Sequence, residues 1–132
     1  MMAKVDHIGI ATRSIDAAGK FYAEVLGLAV AKREIAAGGL KVAFIPVGET
    51  KIELLEPGSE NDNIARFLET RGEGIHHLAF AVDNVEAALA QAKAAGYTLI
   101  DEKPRQGAGG ALIAFLHPKS TGGVLVEFCE HH

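Results

Sequence analysis

The sequence is poor in cysteine and in aromatic residues, with one cysteine, no tryptophan and 6% aromatic residues in all. A single cysteine, Cys129, excludes an internal disulfide and is typical of a reducing compartment. No apolar run approaches the roughly 20 residues that a membrane-spanning helix needs. The first predicted strand begins at Val5, which leaves no room for a signal or transit peptide. We therefore expect a cytoplasmic protein that does not enter a membrane.

The chain also lacks a basic run. It has 13 Lys and Arg residues against 17 Asp and Glu residues, for a net charge of −4. Without a cluster of cations to neutralise phosphates, nucleic-acid binding is not expected. The length of 132 residues and the 48% of hydrophobic residues favour a globular protein of one domain.

What the sequence does contain is an internal repeat, because residues 5–57 match residues 75–130 in the order and kind of predicted elements. The first copy predicts a strand at 5–11, a helix at about 15–26 and strands near 28–36, 40–46 and 50–56. The second copy predicts a strand at 75–82, a helix at about 84–95 and strands near 97–103, 110–116 and 122–129. Both helices have apolar residues at helical spacing.

The ends of the helices carry their own signals. Ser14 is the predicted N-cap of the first helix, and Asp83 followed by Glu86 forms a capping-box pattern for the second. Gly27 and Gly96 stand where a left-handed residue ends a helix. Each copy has roughly 55 residues and is too small to be stable alone. We expect one α+β domain, 1–132, made of two βαβββ modules (about 4–57 and 75–130) that are joined by a short linking helix and form a cupped eight-stranded mixed sheet.

Histidine and glutamate recur at equivalent places in the two copies. His7 and His77 lie on the first strands, each on the face that carries small residues, and Glu53 and Glu127 lie on the last strands, opposite apolar neighbours. The separation is 46 positions in the first copy and 50 in the second. A pseudo-twofold axis relating the copies would bring these four side chains to one point.

Two imidazoles and two carboxylates suit a borderline divalent metal ion such as Co²⁺, Zn²⁺, Ni²⁺ or Mn²⁺. A lone strand histidine or glutamate is usually structural, and it is the repetition that favours a metal site. His76 is one position out of phase and is read as structural. His131 and His132 resemble the residues that an expression tag adds and are left out of the predicted site.

A second candidate region is the segment His117-Pro118-Lys119, which follows the strand at 110–116. Its simplest interpretation is a proline turn. His117 and Lys119 are nevertheless the predicted substrate-binding residues, because they could meet an anionic substrate at the mouth of the cup. The glycine-rich stretch at 107–110 lacks the strand-to-helix context of a phosphate loop and is read as a hairpin segment.

With these residues in view, the chain resembles the vicinal oxygen chelate (glyoxalase/bleomycin resistance) superfamily, and within it the methylmalonyl-CoA epimerase family. The resemblance covers nearly the whole chain and lies in the segments VDHIGIA (5–11), KIELLEP (51–57), GIHHLAF (74–80), FLHPK (115–119) and GVLVE (123–127). It implies a glyoxalase-like fold and interconversion of the (R) and (S) forms of an acyl-CoA by metal-assisted proton transfer. It also implies that Glu127, and secondly Glu53, carries the proton.

The chain departs from the family at one position. Some members carry a glutamate on the third strand that is proposed as a base, and the matching residue here is Val42. The acidic group would then have moved to Glu53. Two other functions remain open: glyoxalase I, whose bacterial forms use the same ligand set, and a non-catalytic small-molecule binding protein. We also expect a homodimer, because the modules are small and have glycine-rich edges.

Overall fold

The computed structural model describes the backbone of residues 2–131 and the side chains of residues 4–131. The strands are β1 (Met2–Ala11), β2 (Lys32–Ile35), β3 (Lys41–Val47), β4 (Thr50–Glu56), β5 (Gly74–Val82), β6 (Arg105–Gln106), β7 (Leu112–Leu116) and β8 (Val126–Glu130). The helices are α1 (Ile15–Glu24), α2 (Asn63–Arg71) and α3 (Val85–Ala94), and short 3₁₀ turns cover Ala37–Gly39, Ala108–Gly110 and Pro118–Ser120. The eight strands belong to one mixed sheet, which confirms the predicted α+β fold class.

The chain divides into two compact units, and the boundary falls inside β1. The first unit contains residues 7–76, and the second contains the described residues up to Asp6 together with those from His77 onward. The prediction that both units form one domain, 1–132, stays a prediction. α2 is the predicted linking helix. No helix in the described part of the chain is long and apolar enough to span a membrane.

In the first unit the strands run in the order β2-β3-β4-β1. β1 is parallel to β4, and the other two pairs are antiparallel. One face of this sheet packs against α1 through a core of Ile15, Ala43, Ile45 and Leu54. Successive strand residues point to opposite faces, so Phe44 and Glu53 lie on the other face. The predicted division of the strand residues between the two faces is confirmed.

The second unit repeats this arrangement with the order β5-β8-β7-β6. β5 is parallel to β8, and β7 is antiparallel to both of its neighbours. Val85, Leu89 and Ala114 form the core on the α3 side, where Val126 and Phe128 also pack. A second cluster, which includes Ala79 and Cys129, occupies the opposite face.

Each long helix of the repeat has two caps at its N-terminus. Ser14 is the N-cap of α1, as predicted, and its hydroxyl accepts from the backbone N–H of Ala17 at 3.1 Å. The N-cap of α3 is Asn84, which accepts from the N–H of Ala87 at 2.9 Å. The prediction of Asp83 was therefore wrong by one residue. The sequence alone left Asp and Asn equally suitable, since both side chains are good N-caps.

The second cap is a glutamate from the last strand of the same unit. The carboxylate of Glu56 accepts from the N–H of Ile15 at 2.9 Å, and that of Glu130 accepts from the N–H of Val85 at 2.9 Å. The backbone hydrogen bond from Ile15 lowers the pKa of Glu56 below its ordinary value, and Lys41 acts in the same direction while partial burial opposes it. Each glutamate therefore connects the N-terminus of its helix to the last strand of the same unit.

One predicted strand is absent. The segment at 97–103 makes only an isolated bridge between Leu99 and Leu116, and the sixth strand begins later, at Arg105. The carbonyl of Phe115 accepts from both Ile100 and Asp101, and the N–H of Phe115 donates to the carboxylate of Asp101. The carboxylate of Asp101 thus takes the place of a backbone carbonyl as the acceptor for Phe115, and the backbone hydrogen bonds of a strand pair do not continue here.

Candidate functional site

The first unit brings His7 and Glu53 together. In the parallel pair of β1 and β4, Gly9 is opposite Glu53, so His7 lies two residues earlier on the same face. His7 Nδ1 is 3.2 Å from Glu53 Oε2, and both side chains are buried, with 4% and 5% of their residue surface exposed.

The second unit brings His77 and Glu127 together in the same register. Ala79 of β5 is opposite Glu127 of β8, and His77 again lies two residues earlier. His77 Nε2 is 3.1 Å from Glu127 Oε1, and both residues are buried. The repeat that the sequence predicted is therefore reproduced in the strand register and in the residues that meet within each unit.

Each pair lies beside a phenylalanine that the sequence reasoning missed. Phe44 of β3 is opposite Glu53, and Phe115 of β7 is opposite Glu127. The Phe115 ring meets the His77 ring edge to face at a centroid distance of 5.5 Å. The signal was present in the sequence as an Ala-Phe dipeptide in the third strand of each copy. Glu53 and Glu127 are both buried, and the phenylalanine opposite each adds a large apolar residue to the same face of the sheet.

The two pairs have the chemistry of metal ligands. Metal bonds to imidazole nitrogen and carboxylate oxygen are about 2.0–2.2 Å long, so neighbouring ligands on one ion lie roughly 3.0–3.4 Å apart. The separations of 3.2 and 3.1 Å fall in this range. A buried carboxylate is costly unless it is paired, hydrogen-bonded or bound to metal. Each pair therefore fits half of a divalent metal site.

His117 and Lys119 lie at a turn of the second unit. His117 is half-buried and caps the 3₁₀ turn, with Nδ1 accepting from the backbone N–H of Lys119 at 3.1 Å. Its proton is thereby assigned to Nε2, which can donate to a ligand. Lys119 is exposed and makes no ion pair within the described residues. Their predicted role in substrate binding stays a prediction.

His76 and Val42 have structural surroundings. His76 packs edge to face on Phe67 of α2 at 5.0 Å, in agreement with the structural role predicted for it. Val42 is 1% exposed and is opposite Leu55 in the pair of β3 and β4. It shares a face with Phe44 and Glu53 but has no group that can carry a proton. His132 lies outside the described residues.

Comparison with known proteins adds to this geometry. Residues 6–115 match the Glyoxalase/Bleomycin resistance protein/Dioxygenase superfamily. The uncharacterized protein YqjC of Bacillus subtilis is 45% identical over 98% of this chain and 93% of its own length. The ethylmalonyl-CoA/methylmalonyl-CoA epimerase of Cereibacter sphaeroides is 39% identical over 96% of this chain and 97% of its own length.

Among solved structures, a variant of the methylmalonyl-CoA epimerase of Streptomyces coelicolor in complex with 2-nitronate-propionyl-CoA is 34% identical. The alignment has a TM-score of 0.93 and covers 98% of this chain and 95% of the other. The match extends over nearly the full length of both proteins, and it includes both strands that carry each His–Glu pair. The chain therefore belongs to the glyoxalase/bleomycin resistance protein/dioxygenase superfamily.

Proposed function

We propose that this protein is a methylmalonyl-CoA epimerase, which interconverts the (R) and (S) forms of its substrate by proton transfer at C2. The observation that carries the proposal is the pair of buried His–Glu couples, one in each unit and in the same register. The full-length likeness to epimerases, one of them bound to an acyl-CoA ligand, supports the substrate class. The single cysteine is in keeping with a cytoplasmic enzyme.

We further propose that His7, Glu53, His77 and Glu127 together hold one divalent ion, with Co²⁺ preferred and Zn²⁺, Ni²⁺ or Mn²⁺ as alternatives. The donor set of two nitrogens and two oxygens supports this, as do the separations within each pair. The proton to be removed lies between a carboxylate and a thioester carbonyl. When bound, the ion supplies a Lewis acid that stabilises the enolate charge.

Inversion at C2 requires an acid and a base on opposite faces of the substrate, or one group that reaches both. Glu127 is the first candidate for proton transfer, and Glu53 is the second. Both carboxylates are buried, and each lies opposite a phenylalanine of the neighbouring strand. Because Val42 cannot carry a proton, Glu53 takes over the work of the acidic group that some relatives have at that position.

We propose that His117 and Lys119, in the turn at 117–119, bind the substrate. His117 presents an Nε2–H donor, since its Nδ1 is occupied by the backbone of Lys119. The exposed ammonium group of Lys119 is suited to an anionic part of an acyl-CoA. We also propose that the protein forms a homodimer.

Glyoxalase I and a non-catalytic binding protein are the two alternative functions. Glyoxalase I would use the same four ligands, and it is disfavoured by the His-Pro-Lys segment and by the relatives that are named as epimerases. A non-catalytic binding protein needs no complete set of ligands, whereas this chain has all four residues. The epimerase is therefore preferred to both.

Proton exchange at C2 of methylmalonyl-CoA in D₂O tests the proposal directly. We expect the protein to catalyse the incorporation of deuterium from solvent at C2 of methylmalonyl-CoA and to racemise either pure enantiomer. The matched assay uses methylglyoxal and glutathione with the same protein, and we expect no lactoylglutathione. Turnover of the second substrate without exchange of the first would show glyoxalase I, and binding of methylmalonyl-CoA without any exchange would show a binding protein.

A further inference from the structure

Three potential metal ligands of different chemistry meet in the second unit, outside the four residues assigned above. They are Asp6 of β1, Cys129 of β8 and His131, which directly follows β8. Asp6 and Cys129 are each 2% exposed, whereas the side chain of His131 is 47% exposed. Two of the three side chains are thus buried, and the third is open to solvent. Neither the proton transfer nor the turn at 117–119 uses it.

The distances within this cluster resemble the edges of a coordination tetrahedron. Cys129 Sγ is 3.6 Å from Asp6 Oδ2 and 3.6 Å from His131 Nε2, and His131 Nε2 is 2.7 Å from Asp6 Oδ1. With Zn–S of about 2.3 Å and Zn–N or Zn–O of about 2.0–2.2 Å, a tetrahedral site has edges of about 3.6 Å to sulfur and about 3.4 Å between nitrogen and oxygen. The sulfur edges to Asp6 Oδ2 and His131 Nε2 have this length, whereas His131 contacts the other carboxylate oxygen, Oδ1, at less than an edge. The exposed ring of His131 must therefore move for one oxygen of Asp6 to complete the arrangement.

The donors also suit one kind of ion. A thiolate, an imidazole and a carboxylate form the mixed soft and borderline set that binds Zn²⁺ or Co²⁺ tetrahedrally and that Mg²⁺ and Ca²⁺ avoid. Binding would release the thiol proton to solvent, and the two charges of the ion would balance the thiolate and the buried carboxylate of Asp6. We propose that Asp6, Cys129 and His131 form a second, tetrahedral divalent-metal site whose fourth position is open to water through the exposed side of His131.

Cobalt spectroscopy can separate this site from the proposed catalytic one. Cys129 is the sole cysteine of the chain, and the catalytic set contains only nitrogen and oxygen donors. A thiolate-to-cobalt charge-transfer band in the near ultraviolet can therefore come only from Cys129. We expect metal-free, reduced protein titrated with Co²⁺ to develop this band and to bind a second equivalent of the ion.

Three variants complete the test. Cys129→Ser, which keeps the size of the side chain, should lose the band and the second equivalent while it still binds one ion. His131→Ala should weaken the cobalt affinity of this site by on the order of 10-fold or more, since a ligand is lost. His7→Ala should lose the catalytic ion and keep the band, so that failure of the proposed function and failure of this site give different results.

Two outcomes would overturn the proposal. One is wild-type protein that shows no charge-transfer band at saturating Co²⁺, which would mean that Asp6, Cys129 and His131 are only a hydrogen-bonded cluster. The other is a band of unchanged intensity and affinity in His131→Ala, which would mean that the thiolate binds cobalt without this arrangement.

Discussion

The two units are built on one plan but differ in how the histidine approaches its glutamate. His7 presents Nδ1 to Glu53, whereas His77 presents Nε2 to Glu127. The register of the parallel strands is the same in both, with the histidine two residues before the small residue that is opposite the glutamate. The repeat therefore decides which residues meet. The neighbours of each ring, such as Phe115 against His77, help to decide how it is turned.

The outer parts of the two sheets differ more. β2 of the first unit has four residues, whereas β6 of the second has two. In the second unit Asp101 binds the backbone N–H of Phe115 and also the Nε of Arg105, at 2.9 and 3.0 Å. One half-buried carboxylate thus replaces part of a strand. The inner strands that carry the His–Glu pairs are alike in register, while the edge strands of the two units differ in length.

The largest expected effect tests whether the two pairs act as one site. His7→Ala and His77→Ala should each release the proposed ion and abolish epimerase activity, because each removes one of four shared ligands. The bound metal, measured by elemental analysis after dialysis, should fall together with turnover. A His76→Ala variant, which changes a neighbouring residue on the opposite face, should keep both.

A different result for the two histidines would break the comparison between the units. If His7→Ala kept metal and activity while His77→Ala lost them, the second unit would hold the ion without the first. Full activity of metal-stripped wild-type protein would contradict the metal site altogether.

A smaller effect should separate the two glutamates. Glu127→Gln should retain part of the metal and reduce turnover by on the order of 10²-fold or more, which is the scale of general acid–base catalysis. Glu53→Gln should be crippled in racemisation but should still exchange the C2 proton of one enantiomer through Glu127. Separate measurements of deuterium exchange and of enantiomer composition distinguish these results.

Glu69→Gln provides the control, because Glu69 is an exposed residue of α2. Its exchange and racemisation rates should equal those of the wild type. Near wild-type interconversion of both enantiomers by Glu53→Gln would show that Glu53 is a ligand only. The two units would then be alike in metal binding but not in proton transfer. The second proton donor would have to be bound water or another group.

The smallest effect concerns stability and compares the two helix caps. Glu56→Ala and Glu130→Ala should each lower the free energy of unfolding by about 0.5–2 kcal/mol, the usual cost of losing a side-chain cap. The loss should be slightly larger at Glu56, which also contacts Lys41 at 3.1 Å. Urea unfolding at neutral pH measures both, and Glu24→Ala on the exposed part of α1 is the control.

The cap at Glu56 also predicts a dependence on pH. The hydrogen bond from Ile15, helped by Lys41, lowers the pKa of Glu56 below its ordinary value of 4.5 against the effect of burial. A group with a lowered pKa stabilises the fold above its ordinary value, and this contribution is lost as the pH falls through the pKa of the folded state. Stability should therefore fall below pH 4.5 less steeply in Glu56→Gln than in the wild type. Identical acid profiles would contradict this role.

Much of the fold could be predicted because the signals are local and occur twice. Apolar periodicity located α1, α2 and α3 as well as the inner strands, and the alternation of β1 and β5 assigned His7 and His77 to one face. The strand predicted at 97–103 failed, and the Glu130 cap was missed, because both depend on contacts between distant residues. Propensity cannot show that Asp101 will bind the backbone of Phe115, or that Glu130 will reach the first N–H of α3, because each needs a partner from another part of the chain.

The sequence by itself determined the duplicated plan, the family, and the identity of the two His–Glu pairs, because strand alternation and repetition leave little freedom once the strands are known. The tertiary structure alone decided the separations of 3.1 and 3.2 Å within the pairs and the phenylalanines beside them. It also decided the meeting of Asp6 with Cys129 and His131, from the two ends of the chain. Such contacts depend on strand order and side-chain rotation, which arise only when distant segments pack together and compete for the same buried space.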